Sequence, residues 1–380
     1  MNGGLGQDQL GGDDDEQIER AIYLPPGFPY LELLTLAQVL EVAEVFTPGY
    51  GPPSAGLCHP MGFLYEHHFE RRSTILLPDR NVASRFAQIA KGAQATDDLR
   101  QVAAIKAFCH FLDILVEPSI AFYELAQKQG NAVANEELAW FRIGDNGDAF
   151  DWFDYAIGEI DRIPPSTALP RIGSQELAFP LRRWRRNYIV ALKIAELELS
   201  SIPNLQRMLT LLEWMHNDFI VAGPAAMLAC IYFAPNSPPR KGLLKQLRSP
   251  DRQRALDGVR NAAWDITHLS DFIKKVNEAE GGSTRYLFAS ADKALHRMAK
   301  FLFEFSANGI RIERLIAGLA VWWPPNEAER IAACIVRLLD EASNSARAIH
   351  TAQRAGFIDH MIARGEEAIL TWRNPLKGRP

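Results

Sequence analysis

Asp79, Glu117, Asp265 and Asp292 are spaced so that folding could gather their carboxylates. Asp79 follows the apolar run 73–77 (STILL) within Pro78-Asp79-Arg80-Asn81, and a helical pattern comes next. Asp292 follows the run 286–289 (YLFA) within Ser290-Ala291-Asp292, and again a helix comes next. An Asp at the C-terminal end of a buried strand lies at the crevice where open α/β sheets bind ligands. Two such strands, far apart in sequence, predict one site assembled from distant segments. Converging carboxylates can hold one or two Mg²⁺ or Mn²⁺ ions. Ions so held neutralise charge on a transferring phosphoryl group and supply a hydroxide at neutral pH. A set of Asp and Glu with few His suits Mg²⁺, which prefers hard oxygen ligands. This is the chemistry of phosphodiester hydrolysis.

The elements that must position these residues are mostly helical. After a Pro/Gly-rich start, Leu33, Leu36, Val39, Leu40 and Ala43 fall on one side of a helix over 33–45. Helical spacing covers 82–91, and Thr96-Asp97-Asp98 supplies cap chemistry for the next helix, with Val102, Ile105, Phe108 and Leu112 inward. Pro118 fits the first turn of a helix over 120–129. Glu117 then sits near a helix N-terminus, where a carboxylate is favoured by the dipole. Residues 131–180 carry weaker signals. Helices are expected over 181–199, 205–216 and 219–233, the last bent or started by Gly223-Pro224. Asp265 is read in the first turn of an amphipathic helix over 261–276, and helices are expected over 294–305, 310–321 and 326–349. Many helices with few strands argue for an α/β fold with a large helical complement.

Composition narrows the function classes. The chain is 47% hydrophobic and 23% charged with a formal net charge of -5, so a nucleic-acid partner would need local positive patches. The four cysteines are scattered without CxxC spacing, which removes a zinc ribbon or disulfide framework and reads as buried thiols in a reducing cytosol. Residues 1–16, Gly-rich and acidic, are expected to be disordered and lack the features of a signal peptide. The longest apolar run, 219–234, contains Gly223-Pro224 and is shorter than the ~20 residues of a spanning helix. A cytoplasmic protein with no membrane partner is expected. Homo-oligomerisation stays open.

ILLPDRN, NAAWDITHLSDF and YLFASADKAL together resemble the motif series of PIN-like domain nucleases. These are a strand leading into an Asp with a polar residue two positions on, an Asp opening a helix, and a strand ending in Thr/Ser-x-Asp. The resemblance covers roughly 73–129 and 255–300. The sequence departs from the compact pattern in having Pro78 before the first Asp and a long gap between Glu117 and Asp265. The resemblance implies a PIN-like, Rossmann-like parallel sheet flanked by helices. The implied domain runs over 73–305 with a helical insertion at about 131–255, preceded by a helical and loop segment, 17–72, and followed by a helical region, 306–380. It implies a metal-dependent nuclease, a ribonuclease first, with nucleic acid as partner and RNA ahead of DNA. Asp79, Asp265 and Asp292 would hold Mg²⁺ or Mn²⁺, and Glu117 would complete the catalytic cluster or orient the attacking water. Glu124 qualifies equally for that middle position. Asn81 or Ser290 would hydrogen-bond the ligands. Cleavage would leave 5′-phosphate and 3′-hydroxyl ends.

Other residues admit two readings each. Arg182, Arg183, Arg185 and Arg186 surround Trp184, and with Arg240, Lys241, Lys245, Arg248, Arg252 and Arg254 they could form a phosphate-gripping, base-stacking surface. The same run also fits a solvated helix start with Trp184 packed inward. His67 and His68 are adjacent and face different ways, so one ion cannot easily take both. Thr96-Asp97-Asp98 reads as a helix cap rather than a diphosphate motif. GxGxxG, P-loop, GxSxG and HExxH motifs do not occur. Two alternatives to a nuclease follow: a catalytically inactive PIN-like or helical nucleic-acid-binding protein, and a helical interaction protein.

Overall fold

A computed structural model describes residues 21–51, 56–164, 171–220, 222–237, 243–306, 312–343 and 356–373. The expectations for 1–16, for Arg240 and Lys241, and for the end of the 326–349 helix lie outside these residues. Helices account for 66% of the structure, and the strands form one small mixed sheet. The expected PIN-like α/β fold with a parallel sheet is therefore not what the chain adopts; the protein is mainly helical. The physical reason is that, among the described residues, only two strands reach six residues, each running into a buried C-terminal half. These are β2 (Ser73–Pro78) and β4 (Thr284–Ala289). The other strands, β1 (Phe46–Pro48) and β3 (Leu115–Val116), have three and two residues and form the edges.

Strand order is β1-β4-β2-β3. β2 runs parallel to both β4 and β3, whereas β1 runs antiparallel to β4. Pro48, which cannot donate to a ladder, is tolerated because β1 is an edge. Successive strand residues face opposite sides of a sheet. Leu76, Leu287 and Ala289 accordingly join a core on one face with Leu33, Phe86, Phe108, Phe122 and Trp152. Leu77 and Phe288 join a core on the other face with residues of the later helices. The central strands are covered on both sides.

The first core is built by α1 (Tyr30–Ala43), α2 (Pro60–His68), α3 (Arg80–Ala90), α4 (Asp97–Phe111), α5 (Ser119–Gln129), α6 (Asn131–Asp145) and α7 (Ala149–Ile157). Thr96 caps α4, its hydroxyl accepting from Leu99 N, and His59 caps α2 by accepting from Met61 N. The second core is built by α8 (Arg182–Leu199), α9 (Asn204–Asp218), α10 (Gly223–Phe233), α11 (Arg252–Glu278), α12 (Lys293–Ser306), α13 (Ile312–Ala320), α14 (Pro325–Ser343) and α15 (Phe357–Thr371). α11 is 27 residues long and packs on the sheet through Phe272, whose ring lies 5.6 Å from that of Phe288. It begins at Asp251, whose carboxylate accepts from Gln253 N and Arg254 N. Asp265 is therefore in mid-helix and does not open one. The stronger cap upstream sets the start, and the apolar face continues unbroken from Ala255. Among the described residues no helix is long and apolar enough to cross a membrane.

Candidate functional site

The parallel register of β2 and β4 sets Pro78 opposite Ala289, so the residues that leave the two strands emerge side by side. Asp79 N donates to Ala289 O at 2.9 Å. Asp79 is 2% exposed and caps α3, with Oδ1 accepting from Val82 N at 2.8 Å. Its Oδ2 accepts from the Ser290 hydroxyl at 2.6 Å, across 211 residues of chain. Ser290 Oγ in turn accepts from Asp292 N at 3.0 Å. Asp292 Oδ1 accepts from Ala294 N at 2.8 Å and Leu295 N at 3.3 Å, which starts α12. One buried hydroxyl thus ties the two strand ends together. Burial pushes the Asp79 carboxyl upward from its usual range, against the bonds from Ser290 and Val82.

α5 and α11 bring the other acids. Glu124, 6% exposed, lies 3.1 Å from His268 Nε2 through Oε2 and 2.6 Å from Lys128 Nζ through Oε1. Burial would raise its pKa, but the His268 bond and charge, with Lys128, outweigh burial and hold it below the usual value. His268 is 5% exposed; burial disfavours its charge, yet the bond to Glu124 and the nearby carboxylates raise its pKa overall. Asp265 sits three positions earlier on α11, on the same helical face. Burial, then Glu124, push it up to about 7 against the opposing pull of His268, with Asp292 and Asp79 adding further. Among the described residues Asp265 has neither a hydrogen bond nor an ion pair.

Asp79, Glu124, Asp265 and Asp292 line one pocket of about 220 Å³, together with His268. Asn81, Lys128 and Lys245 also line it. Glu117 does not. It accepts from Ser119 Oγ at 2.8 Å and pairs with Lys275 on α11. It leaves β3 before α5 begins, whereas Glu124 lies well inside α5, on the side that meets His268 of α11.

The arginine run opens α8, with its tryptophan packed and two of its four arginines paired. Trp184 stacks on Tyr188 at 4.9 Å and lies 5.6 Å from Trp264, so its faces are engaged by packing. Arg183 pairs with Asp271 and Arg185 with Asp359. Arg182 and Arg186 are exposed, and no residue of the run lines the acidic pocket. Of the later basic residues, Arg248 pairs with Glu198 and Arg254 with Asp251, while Arg252 donates to backbone carbonyls of Leu247, Ser249 and Ile369.

His268, Lys128 and Lys245 were not singled out from sequence as parts of this pocket. The Asp-x-x-His spacing of Asp265 and His268 was the available signal, but a His on an amphipathic helix usually signifies packing. Among the described residues no group of three or more His, Cys, Asp or Glu stands poised as a metal cluster. The donor set nevertheless suits a hard ion, since Mg²⁺ usually keeps several waters and takes one or two carboxylates directly. Asp265 is an oxygen donor left without a partner among the described residues, and Asp292 is exposed. Comparison with known proteins finds no matching family model, no matching curated protein and no matching solved structure.

Proposed function

We propose that the protein is a metal-dependent phosphodiesterase, a nuclease acting at the acidic pocket. The observation that carries this reading is the convergence of Asp79, Glu124, Asp265 and Asp292 on one cavity that Lys128 and Lys245 also line. The likeness of ILLPDRN and YLFASADKAL to the strand-end motifs of PIN-like nucleases supports the same chemistry, on a fold that is not PIN-like. A divalent ion, Mg²⁺ or Mn²⁺, would supply charge neutralisation on the scissile phosphate and an activated water when bound. Asp265 and Asp292 would hold it, and Asp79 would complete the anionic wall, with its orientation set by Val82 N–H and the Ser290 hydroxyl. Glu124, kept ionised by His268 and Lys128, is the group suited to accept a proton from a water. RNA is the substrate we place first, in a cytoplasmic setting that suits four free, buried cysteines.

Mn²⁺-dependent cleavage of end-labelled RNA and DNA oligonucleotides is the test. Asp79→Asn, Asp265→Asn and Asp292→Asn are each expected to abolish cleavage while far-UV circular dichroism stays native. Retained cleavage in all three removes the reading. A second reading, an inactive nucleic-acid-binding protein, draws on the hydrogen bonds that already engage Asp79 and Glu124. It expects binding without turnover in the same assay.

A further inference from the structure

The turn 243–248 stands at the mouth of the acidic pocket, and its placement is built into the fold. Leu243, Leu244 and Leu247 are all buried, which pins the turn into the helical core. Gln246 takes a left-handed φ of 59°, so the chain reverses sharply beside Lys245. Gly258 of α11 lies directly beneath: a Cβ there would meet Lys245 O at 2.0 Å, and Lys245 C at 3.1 Å. A bare glycine is what admits this close backbone approach.

The Lys245 side chain is exposed and lines the pocket. The other cations there are taken: Lys128 by Glu124 at 2.6 Å, and Arg80 by both oxygens of Glu137 at 2.8 and 3.2 Å. Among the described residues Lys245 has no acidic partner, although four carboxylates share its pocket. An unpaired ammonium beside an anionic, cation-seeking pocket is the arrangement expected where a phosphate must lie next to a metal.

We infer that Lys245 is a substrate-binding residue that takes a backbone phosphate of a nucleic-acid strand at the mouth of the pocket, and that Gly258 positions it there. This rests on the nuclease reading above.

The test uses the full chain with fluorescently labelled single-stranded RNA and DNA oligonucleotides. Anisotropy is measured in Ca²⁺, a hard ion suited to the same oxygen donors, across a range of KCl. Mn²⁺ binding is followed separately by electron paramagnetic resonance. Lys245→Ala is expected to weaken oligonucleotide binding about tenfold, the scale of one charge-assisted hydrogen bond. It should also lower the slope of log Kd against log salt by about 0.7, one phosphate contact on a single strand. Mn²⁺ affinity should hold or tighten, Lys245→Arg should retain most binding, and the exposed control Lys274→Ala should change affinity less than about twofold, since it contacts no phosphate. Gly258→Ala should reproduce the Lys245→Ala loss by displacing the turn.

Unchanged affinity and slope in Lys245→Ala, with Mn²⁺ still bound by the wild type, overturn the role of Lys245 and leave the metal reading standing. Loss of Mn²⁺ binding in Lys245→Ala also overturns it, because the lysine would then act on the acids and not on substrate. A wild-type chain that binds neither oligonucleotide nor Mn²⁺ overturns the inference together with the reading beneath it.

Discussion

Asp265→Asn should stabilise the protein at neutral and alkaline pH while destroying its metal affinity. The Asp265 carboxyl is raised from the usual 3.8 to about 7, chiefly by burial and by the Glu124 charge. Between those two values the native state holds a proton that the unfolded chain has released. Raising the pH through that window therefore removes stability, and the loss is complete above about 7. At ~1.4 kcal/mol for each tenfold change in proton affinity, the penalty above that pH is at most ~4 kcal/mol. Partial exposure of the side chain and its coupling to Glu124, Asp79 and His268 reduce this to ~1–3 kcal/mol. Asparagine carries no charge at any pH and escapes the penalty. Urea unfolding at pH 4, 5, 6, 7 and 8 measures it: the variant should gain on the wild type as pH rises from 4 to about 7 and level off above, with the two nearest at pH 4. Mn²⁺ binding to the wild type should strengthen about tenfold per pH unit below 7 and release close to one proton, since the ion competes with that proton. A variant that is less stable than the wild type at pH 8, with an identical pH dependence, would refute the placement of a strained carboxyl at this position.

Two further outcomes follow from the same geometry. Ser290→Ala removes the hydroxyl shared by Asp79 and Asp292 N. It should cost ~1–3 kcal/mol in urea unfolding and lower Mn²⁺-dependent cleavage ~10–100-fold, with Ser290→Thr recovering part of both. Glu117→Gln should leave cleavage within about threefold of wild type, as expected for a half-buried pair with Lys275 that lies outside the acidic pocket, whereas Glu124→Gln should abolish it; the reverse order would return the middle acidic role to Glu117.

The candidate site was legible where local pattern carries the information. Asp79 and Asp292 were readable because an apolar run ending in a polar turn before a helix marks a strand end, and both carboxylates do cap helices there. Position within a helix was less legible. Asp265 looked like a first-turn residue because the apolar spacing is clear from Ala262 onward, yet Asp251 supplies the cap that starts α11. The choice between Glu117 and Glu124 depends on which side of α5 meets α11, and nothing within α5 encodes that. The partners of the arginine run were illegible for a related reason. Arg183 and Arg185 find acids on α11 and α15, 88 and 174 residues away, which no local window contains.

Sheet content shows the same division. Two strong apolar runs were visible, but their number could not tell a full parallel sheet from a small mixed one. β1 and β3 are too short to leave a periodic signal.

By itself, then, the sequence marked many of the helices, two apolar strands ending in aspartate and four scattered cysteines, but it was read as an α/β fold, which the mainly helical structure corrects. Periodicity and capping are properties of neighbouring residues, so they survive in one dimension. Only the tertiary structure decided that β2 and β4 lie side by side in parallel, that α11 carries Asp265 and His268 against Glu124, and that Gly258 lets the Lys245 backbone pack closely on α11. Those facts depend on register and on helix packing across hundreds of residues, where burial and charge act between segments that share no local sequence.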